Sequence, residues 1–199
     1  NLLAYWFCIS YMNQRLSGQS TRVLDHDIKV ILDAQDPIRS LLKDDHLEVK
    51  SKIVKKVTPS FIKGKKRHLR LLLCILARHN QTRDPISGYR ISSIATSKDN
   101  KPNFDHIFPV SLLKDTEFRN EKDDIANKTL MAALSNKRKS GERPIDFLPR
   151  IDERSRRSHY IPMEEDLYKL DNYPIFLDRR RELICKALND LLEKMKRGY

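Results

Sequence analysis

The sequence predicts a mainly α-helical protein with a small β element embedded in its second half. Apolar residues recur at helical spacing throughout residues 1–80 and again over 175–196. After Asn80, turn-forming residues interrupt this pattern, and short apolar runs typical of strands follow. We therefore expect helices over 1–80, a compact β-containing element over 81–150, and over 151–199 a connection and a C-terminal helix that packs back on the helical part.

The N-terminal part should contain several helices separated by helix-ending residues. Asp36 precedes Pro37, which places a capping carboxylate before a proline at a first helical position. The segment from Arg67 to His79 is the most apolar and should form a central, largely buried helix. The expected helices span residues 2–17, 22–34, 37–43, 47–57 and 67–79.

The rest of the chain should alternate turns with short elements. Residues 89–94 lie between turn signals and are expected to form a short strand. Prolines from Pro144 onwards, mixed with charged residues, indicate an ordered but irregular connection. The last helix is expected over 175–196, where an apolar stripe returns.

The charge balance points to a polyanionic partner. Lys and Arg number 39 against 27 Asp and Glu, a formal charge of +12, and 39% hydrophobic residues suffice for a folded core. Nine basic residues and no acid lie between Lys50 and Arg70, and a second basic cluster begins at Lys137. Nucleic acid is the favoured partner, with general solubility and an anionic membrane surface as alternatives. The candidate phosphate contacts of the first cluster are Lys63, Lys65, Lys66 and Arg67.

The cysteines and the hydropathy pattern favour a cytoplasmic protein with no membrane span. No apolar run reaches the roughly 18 residues that cross a bilayer. The chain starts without Met inside a helix-like pattern, so we expect it to be the C-terminal part of a longer protein. The cysteines form no C-x-x-C pair and are expected to be buried free thiols: Cys8, Cys74 and Cys185.

One of three Asp-His dipeptides stands in a distinctive setting. Asp105 and His106 follow a turn and precede Pro109, so a short strand would end there and present both side chains to one site. A return strand over 129–131 would lead into a short helix with Asn136 near its start. The other two dipeptides lie in helical patterns among charges and should be at the surface: Asp25-His26 and Asp45-His46.

These residue types suit phosphodiester hydrolysis. That reaction needs a base to deprotonate water and a cation at the phosphate and the leaving oxygen. His106 titrates in the required range and suits the base. Asp105 and Asn136 would form the sparse oxygen set that Mg²⁺ prefers. Asn127 could hold the base in one orientation, through its side chain or through the loop it organises.

Three stretches carry a family resemblance: FDHIFP at 104–109, NKTL at 127–130 and NKRKS at 136–140. Their order and spacing resemble the ββα-metal, or HNH, nucleases. They look closest to the C-terminal nuclease domain of GmrSD-type restriction and phage-defence proteins. The core motif covers about 37 residues, and a weaker similarity extends over the C-terminal half.

The resemblance implies a DNA endonuclease with an embedded ββα-metal element. It implies His106 as general base, Asp105 and Asn136 as ligands of one Mg²⁺ or Mn²⁺ ion, and Asn127 as the residue that orients the base. Products would carry 5′-phosphate and 3′-hydroxyl ends. A nucleotide-hydrolysing domain would precede this part in the full-length protein. Nearby residues expected to contact phosphates are Lys128, Lys137, Arg138 and Lys139, and His159 is a further candidate that alternatively only packs.

Other function classes remain open at this point. A nuclease-like module could bind or sense DNA without cutting it, and the same site could cut RNA. A helical module that only forms homo-oligomers would need no chemistry. The motifs do not distinguish nicking from double-strand cutting, nor do they name the DNA modification that marks a target.

Overall fold

The computed structural model describes residues 2–15, 17, 20–43, 56–64, 66–93 and 101–197. Within them the protein is mainly helical, with one two-stranded antiparallel sheet. The strands are β1 (Pro102–His106) and β2 (Lys128–Ala132). The helices are α1 (Leu2–Met12), α2 (Ser20–Asp33), α3 (Pro37–Leu41), α4 (Pro59–Ile62), α5 (Arg70–His79), α6 (Val110–Leu113), α7 (Ala133–Lys139), α8 (Pro144–Phe147), α9 (Glu153–Ser158) and α10 (Tyr173–Arg197).

The chain divides into two compact units at positions other than the expected boundary near residue 80. One unit comprises Asn1–Val57 and Leu188–Tyr199, and the other comprises Thr58–Ala187. Within the described residues, no helix is long and apolar enough to cross a membrane.

The first unit is built on helices whose ends differ from the expected ones by a few residues. α1 is shorter than the expected helix and buries Cys8, Ile9 and Met12 on one face. The predicted cap of α3 is confirmed, because the Asp36 carboxylate accepts a hydrogen bond of 3.1 Å from the Arg39 amide. The helix expected over 47–57 lies almost entirely outside the described residues.

The structure also tests the expected burial of the cysteines and the expected exposure of two histidines. Cys8 and Cys185 are buried free thiols, as predicted, but Cys74 is exposed. That prediction was wrong because α5 buries one face, which carries Leu72 and Leu76, and Cys74 lies on the other. His26 is exposed, as expected, whereas His46 lies outside the described residues.

The core of the second unit contains an aromatic cluster next to the end of β1. Phe108, Tyr173 and Phe176 are each 0% exposed. The ring centroid of Phe108 lies 4.8 Å from that of Tyr173 and 5.0 Å from that of Phe176, which are favourable aromatic separations. Because both partners belong to α10, this packing holds the segment that follows His106 against that helix.

Two expected features of the second unit were wrong. Residues 89–94 form no extended strand in their described part: Arg90 pairs with Arg83 in an isolated bridge, and Ile91–Ser93 is a 3-10 turn. The stretch after Pro144 is also more regular than expected. It contains α8, α9 and several 3-10 turns, each starting near a proline or an acidic residue that favours a helix N-terminus.

Candidate functional site

Strand pairing and the helix that follows bring three predicted site residues together. Asp105 and His106 end β1, where they pair with Thr129 and Lys128 of β2. The return strand expected over 129–131 is confirmed, although it extends over Lys128–Ala132. α7 begins directly after it, so Asn136 lies one helical turn from the end of the sheet and its amide group reaches the Asp105 carboxylate.

The side-chain amide of Asn136 can face the Asp105 carboxylate in two orientations, with either its nitrogen or its oxygen. In one orientation the Asn136 amide nitrogen donates to both carboxylate oxygens of Asp105, at 2.9 and 3.3 Å. In the other the amide oxygen takes that place, and two oxygens face each other. Two oxygens on adjacent corners of an octahedral Mg²⁺ ion lie roughly 3.0 Å apart, given bonds of about 2.1 Å. The first orientation satisfies both groups, and the separation of the two side chains is also that of two neighbouring ligands of such an ion.

A metal cluster of the usual composition is absent from the described part of the chain. No three His, Cys, Asp or Glu side chains there are grouped so as to hold a metal ion. Asp105 and Asn136, one carboxylate and one amide, are not a group of that kind.

Lys139 is already paired with the Asp105 carboxylate. Its ammonium donates to Asp105 Oδ2 at 2.5 Å and to the carbonyl oxygen of His106 at 2.6 Å. The Lys139 side chain is only 3% exposed and that of Asp105 is 14% exposed. The expected phosphate contact at Lys139 was therefore wrong for this structure, because the Asp105 carboxylate of β1 neutralises the charge of the ammonium group.

His106 lies between a carboxylate and an ammonium group. Its Nε2 is 2.7 Å from Lys128 Nζ and 3.2 Å from Asp123 Oδ1, and Lys128 Nζ also donates to Asp123 Oδ1 at 2.9 Å. Burial and the charge of Lys128 lower the pKa of His106, while Asp123 and Asp105 raise it in part. The net lowering keeps the imidazole neutral at pH 7, the form that accepts a proton. Lys128, expected at a phosphate, is 5% exposed and serves this cluster instead.

Asn127 organises the loop rather than the imidazole ring. The residue is 0% exposed. Its side chain accepts from the Phe108 amide at 2.9 Å and donates to the carbonyls of Phe108 at 3.1 Å and Lys122 at 2.9 Å. Because Phe108 follows His106 by two residues, Asn127 fixes where β1 ends. These contacts belong to the loop that Asn127 organises and not to the imidazole ring of His106.

An ion pair with α10 anchors the loop that precedes β2. Asp124, buried, pairs with Arg181 of α10 at 2.5 Å and accepts from the Gly64 amide at 2.7 Å. The Ile125 amide in turn donates to the Gly64 carbonyl at 3.1 Å. Asp124 thereby ties the loop to a segment 60 residues earlier, beside Lys63, and its neighbour Asp123 is held next to His106.

Asp84 clamps the junction between β2 and α7, a role that sequence reasoning missed. Its buried carboxylate accepts from its own turn, at the amides of Ile86 and Ser87. It also accepts from the Ala132 amide at 2.7 Å and the Ser135 hydroxyl at 2.6 Å. Burial alone would raise the pKa of Asp84, but these four hydrogen bonds lower it overall. Only the turn was visible in the sequence, as Asp84 before a proline.

His159 is a structural residue and not a DNA contact. It is 6% exposed. Its Nε2 lies 2.7 Å from the carbonyl oxygen of Arg83, which can only accept, so this nitrogen carries the proton. Its Nδ1 then accepts from the Thr129 hydroxyl at 2.8 Å. Burial lowers the pKa of His159 to about 4, and the charge of Arg180 adds to the lowering.

The buried, neutral His159 should make the protein less stable in mild acid. Unfolded histidine takes up a proton below about pH 6.5, whereas folded His159 does so only near pH 4. Since the unfolded state binds more protons between these values, stability should fall by on the order of 2–3 kcal/mol as the pH drops across them. Urea unfolding at several pH values measures this, and His159→Gln should show a shallower dependence. An unchanged pH dependence in the variant would assign the effect to other groups.

The remaining predicted phosphate contacts differ in exposure. Lys137 and Arg138 are exposed on α7, beside Asn136, and Lys63 is exposed next to Gly64. Lys66 is half-buried. Lys65 and the side chain of Arg67 lie outside the described residues, as do Lys50, Lys52 and Lys55.

Scans of the chain against protein-family models, curated proteins and solved structures give no match. A functional assignment must therefore come from the motifs and from the geometry of the site.

Proposed function

We propose that this protein is a divalent-metal-dependent DNA endonuclease whose site lies at the end of β1. The observation that carries the proposal is the contact between Asp105 and Asn136 beside His106. The motif residues are far apart in sequence, yet the amide atom of Asn136 lies 2.9 Å from the carboxylate. The two paired strands followed by α7 have the order of a ββα-metal element. This supports the HNH nuclease resemblance without depending on any relative.

His106 acts in this proposal as the base. Its imidazole is neutral at pH 7 and its side chain is 23% exposed, so water can reach it from one side. It removes a proton from that water, whose oxygen forms a bond to phosphorus as the bond to the 3′ oxygen breaks, and the 3′ oxygen takes a proton from solvent. The products carry a 5′-phosphate and a 3′-hydroxyl.

Asp105 and Asn136 would hold the cation, Mg²⁺ or Mn²⁺. Bound there, the cation supplies Lewis-acid stabilisation of the phosphate and the leaving oxygen. Lys139 keeps the Asp105 carboxylate in place from the side of α7, since it also donates to the backbone of β1. Asn127 holds the turn after His106, so that the base and the ligand pair keep their spacing.

DNA is the substrate that the charge distribution favours. The chain carries a net +12, and Lys137 and Arg138 are exposed on the helix that carries Asn136. Exposed cations beside a hydrolytic centre attract the phosphate backbone without reading bases. Any sequence or modification preference would then come from other parts of the protein.

Replacing Asn136 with alanine should weaken the metal dependence of cutting. The change removes one cation ligand but leaves the Asp105–Lys139 pair intact, so the fold should persist. We expect supercoiled-plasmid cleavage to fall about 100-fold at 1 mM Mg²⁺, roughly a physiological level, and to recover in part at higher concentrations. Asn120→Ala, on an exposed turn, is the matched control.

Four outcomes of cleavage and binding assays would count against the proposal. Cutting that persists in EDTA would exclude the cation, and wild-type rates in Asn136→Ala would exclude this ligand. A matched RNA cut faster than DNA would make the protein a ribonuclease. Binding of DNA with no cutting under any metal would make it a sensing module.

A further inference from the structure

We propose that Lys128 and Asp123 are positioning residues that select the tautomer of His106, leaving Nε2 as the nitrogen that takes the proton from water. This inference rests on the proposed nuclease function for its catalytic meaning. The tautomer itself is a property of the free protein and can be measured whether or not the protein cuts DNA.

The strand register places Lys128 where it can act on His106. The two residues are directly opposed in the antiparallel pair, so their side chains share one face of the sheet. Lys128 Nζ lies 2.7 Å from His106 Nε2 and 2.9 Å from Asp123 Oδ1. Asp123 comes from the loop that the Asp124–Arg181 ion pair anchors. All three side chains therefore belong to well-anchored backbone.

The donors and acceptors of the three groups determine which ring nitrogen of His106 carries the proton. An ammonium group has three donors and no acceptor, so Nε2 accepts from Lys128 only if it carries no proton. The neutral ring must then carry its proton on Nδ1. A carboxylate only accepts, so Asp123 alone, 3.2 Å from the same nitrogen, would favour the opposite tautomer. Lys128 is closer, and it also satisfies the carboxylate.

A structural ion pair would not need the imidazole contact. Lys128 is 5% exposed and Asp123 is 29% exposed, so their pair would stand without His106. Instead the ammonium is shared between the carboxylate and the base. This sharing has a functional consequence, because the Nδ1–H tautomer leaves Nε2 unprotonated in a side chain that is 23% exposed.

The hydrogen bond from Lys128 to Nε2 must break before Nε2 can accept a proton from water. Water and the ammonium compete for a single lone pair, and Asp123, 2.9 Å from the ammonium, holds it when water takes its place. Water then gives its proton to Nε2 and its oxygen bonds to phosphorus. The 3′ oxygen leaves and takes a proton from solvent. The new N–H on Nε2 lies within reach of Asp123 Oδ1, which stabilises the imidazolium.

Nitrogen NMR of the histidine ring tests the tautomer directly. The ¹⁵N shifts of His106 in the uniformly labelled chain, assigned with His106→Gln, separate the two neutral forms at pH 8. We expect the Nδ1–H form in the wild-type protein and in the control Lys137→Met. Lys128→Met should shift the ring to the Nε2–H form, because Asp123 then remains as its partner. Lys128→Met with Asp123→Asn should give a mixture.

Cleavage kinetics test the catalytic meaning. Lys128→Met should lower kcat about 100-fold with a smaller change in KM, and Lys128→Arg, which still donates to Nε2, should restore most of the loss. A wild-type ring in the Nε2–H form would overturn the inference by itself, so the test stands even if Lys128→Met proves unstable. An unchanged ring in folded Lys128→Met would overturn it as well. If the wild type cuts no nucleic acid, the proposed function fails, while the tautomer measurement still decides the role of Lys128.

Discussion

Replacing His106 with alanine should lower the rate of DNA cleavage by about 10²–10⁴-fold. The change removes the proposed base, and leaves the Asp105–Asn136 contact and the Asp123–Lys128 pair in place. Metal binding should therefore survive. The measurement is the single-turnover rate on a supercoiled plasmid with saturating Mg²⁺, combined with calorimetric titration of Mn²⁺.

The matched control is His79→Ala, an exposed histidine at the end of α5 in the same unit. It should cut at the wild-type rate and unfold at the wild-type temperature. Cutting by His106→Ala at the control's rate would remove His106 from the mechanism. A loss of folding that accompanied the loss of activity would show up in the unfolding curve and would require His106→Gln instead.

Replacing Asp84 with alanine should lower the free energy of unfolding of the second unit by about 3–5 kcal/mol. The change leaves the Ala132 amide and the Ser135 hydroxyl without their charged acceptor in a buried environment. It also frees the start of α7, which carries Asn136. We therefore expect lost stability together with weaker metal-dependent cutting, measured below the unfolding transition.

Asp115→Ala provides the comparison, since the side chain of Asp115 is 83% exposed and its ion pair with Lys114, at 3.6 Å, lies at the surface. A surface change of this kind should alter stability by less than about 0.5 kcal/mol. Asp84→Asn is informative as well, because its amide replaces one acceptor by a donor facing backbone N–H groups. Equal urea midpoints for Asp84→Ala and Asp115→Ala would mean that the clamp contributes nothing.

The hairpin and its helix could be predicted from short-range patterns. Pro109 after Asp105 and His106 indicated a strand end, and the apolar run over 129–131 indicated a return strand. These signals are local, because β pairing and helix starts depend on neighbouring residues and turns. The position of Asn136 near the start of the helix after the return strand then indicated that its side chain would face the first pair.

The partners of the buried charges could not be predicted. Lys128 and Lys139 looked like solvent-facing phosphate contacts, and both are 3–5% exposed in ion pairs. His159 looked available to DNA but is locked between Thr129 and Arg83. A charged side chain is buried only where a partner of opposite charge meets it. Those partners come from strand register and distant loops, which sequence spacing does not encode.

By itself the sequence determined the mainly helical class, the position of the two strands and the residue types available for hydrolysis. These follow from hydrophobic period, turn chemistry and motif spacing, all of which act over a few residues. The tertiary structure alone decided which charges face solvent and which atoms meet. It brought Asn136 into contact with Asp105, Lys128 with His106, and Asp84 with the first turn of α7. Such contacts arise only when segments up to about 50 residues apart pack together.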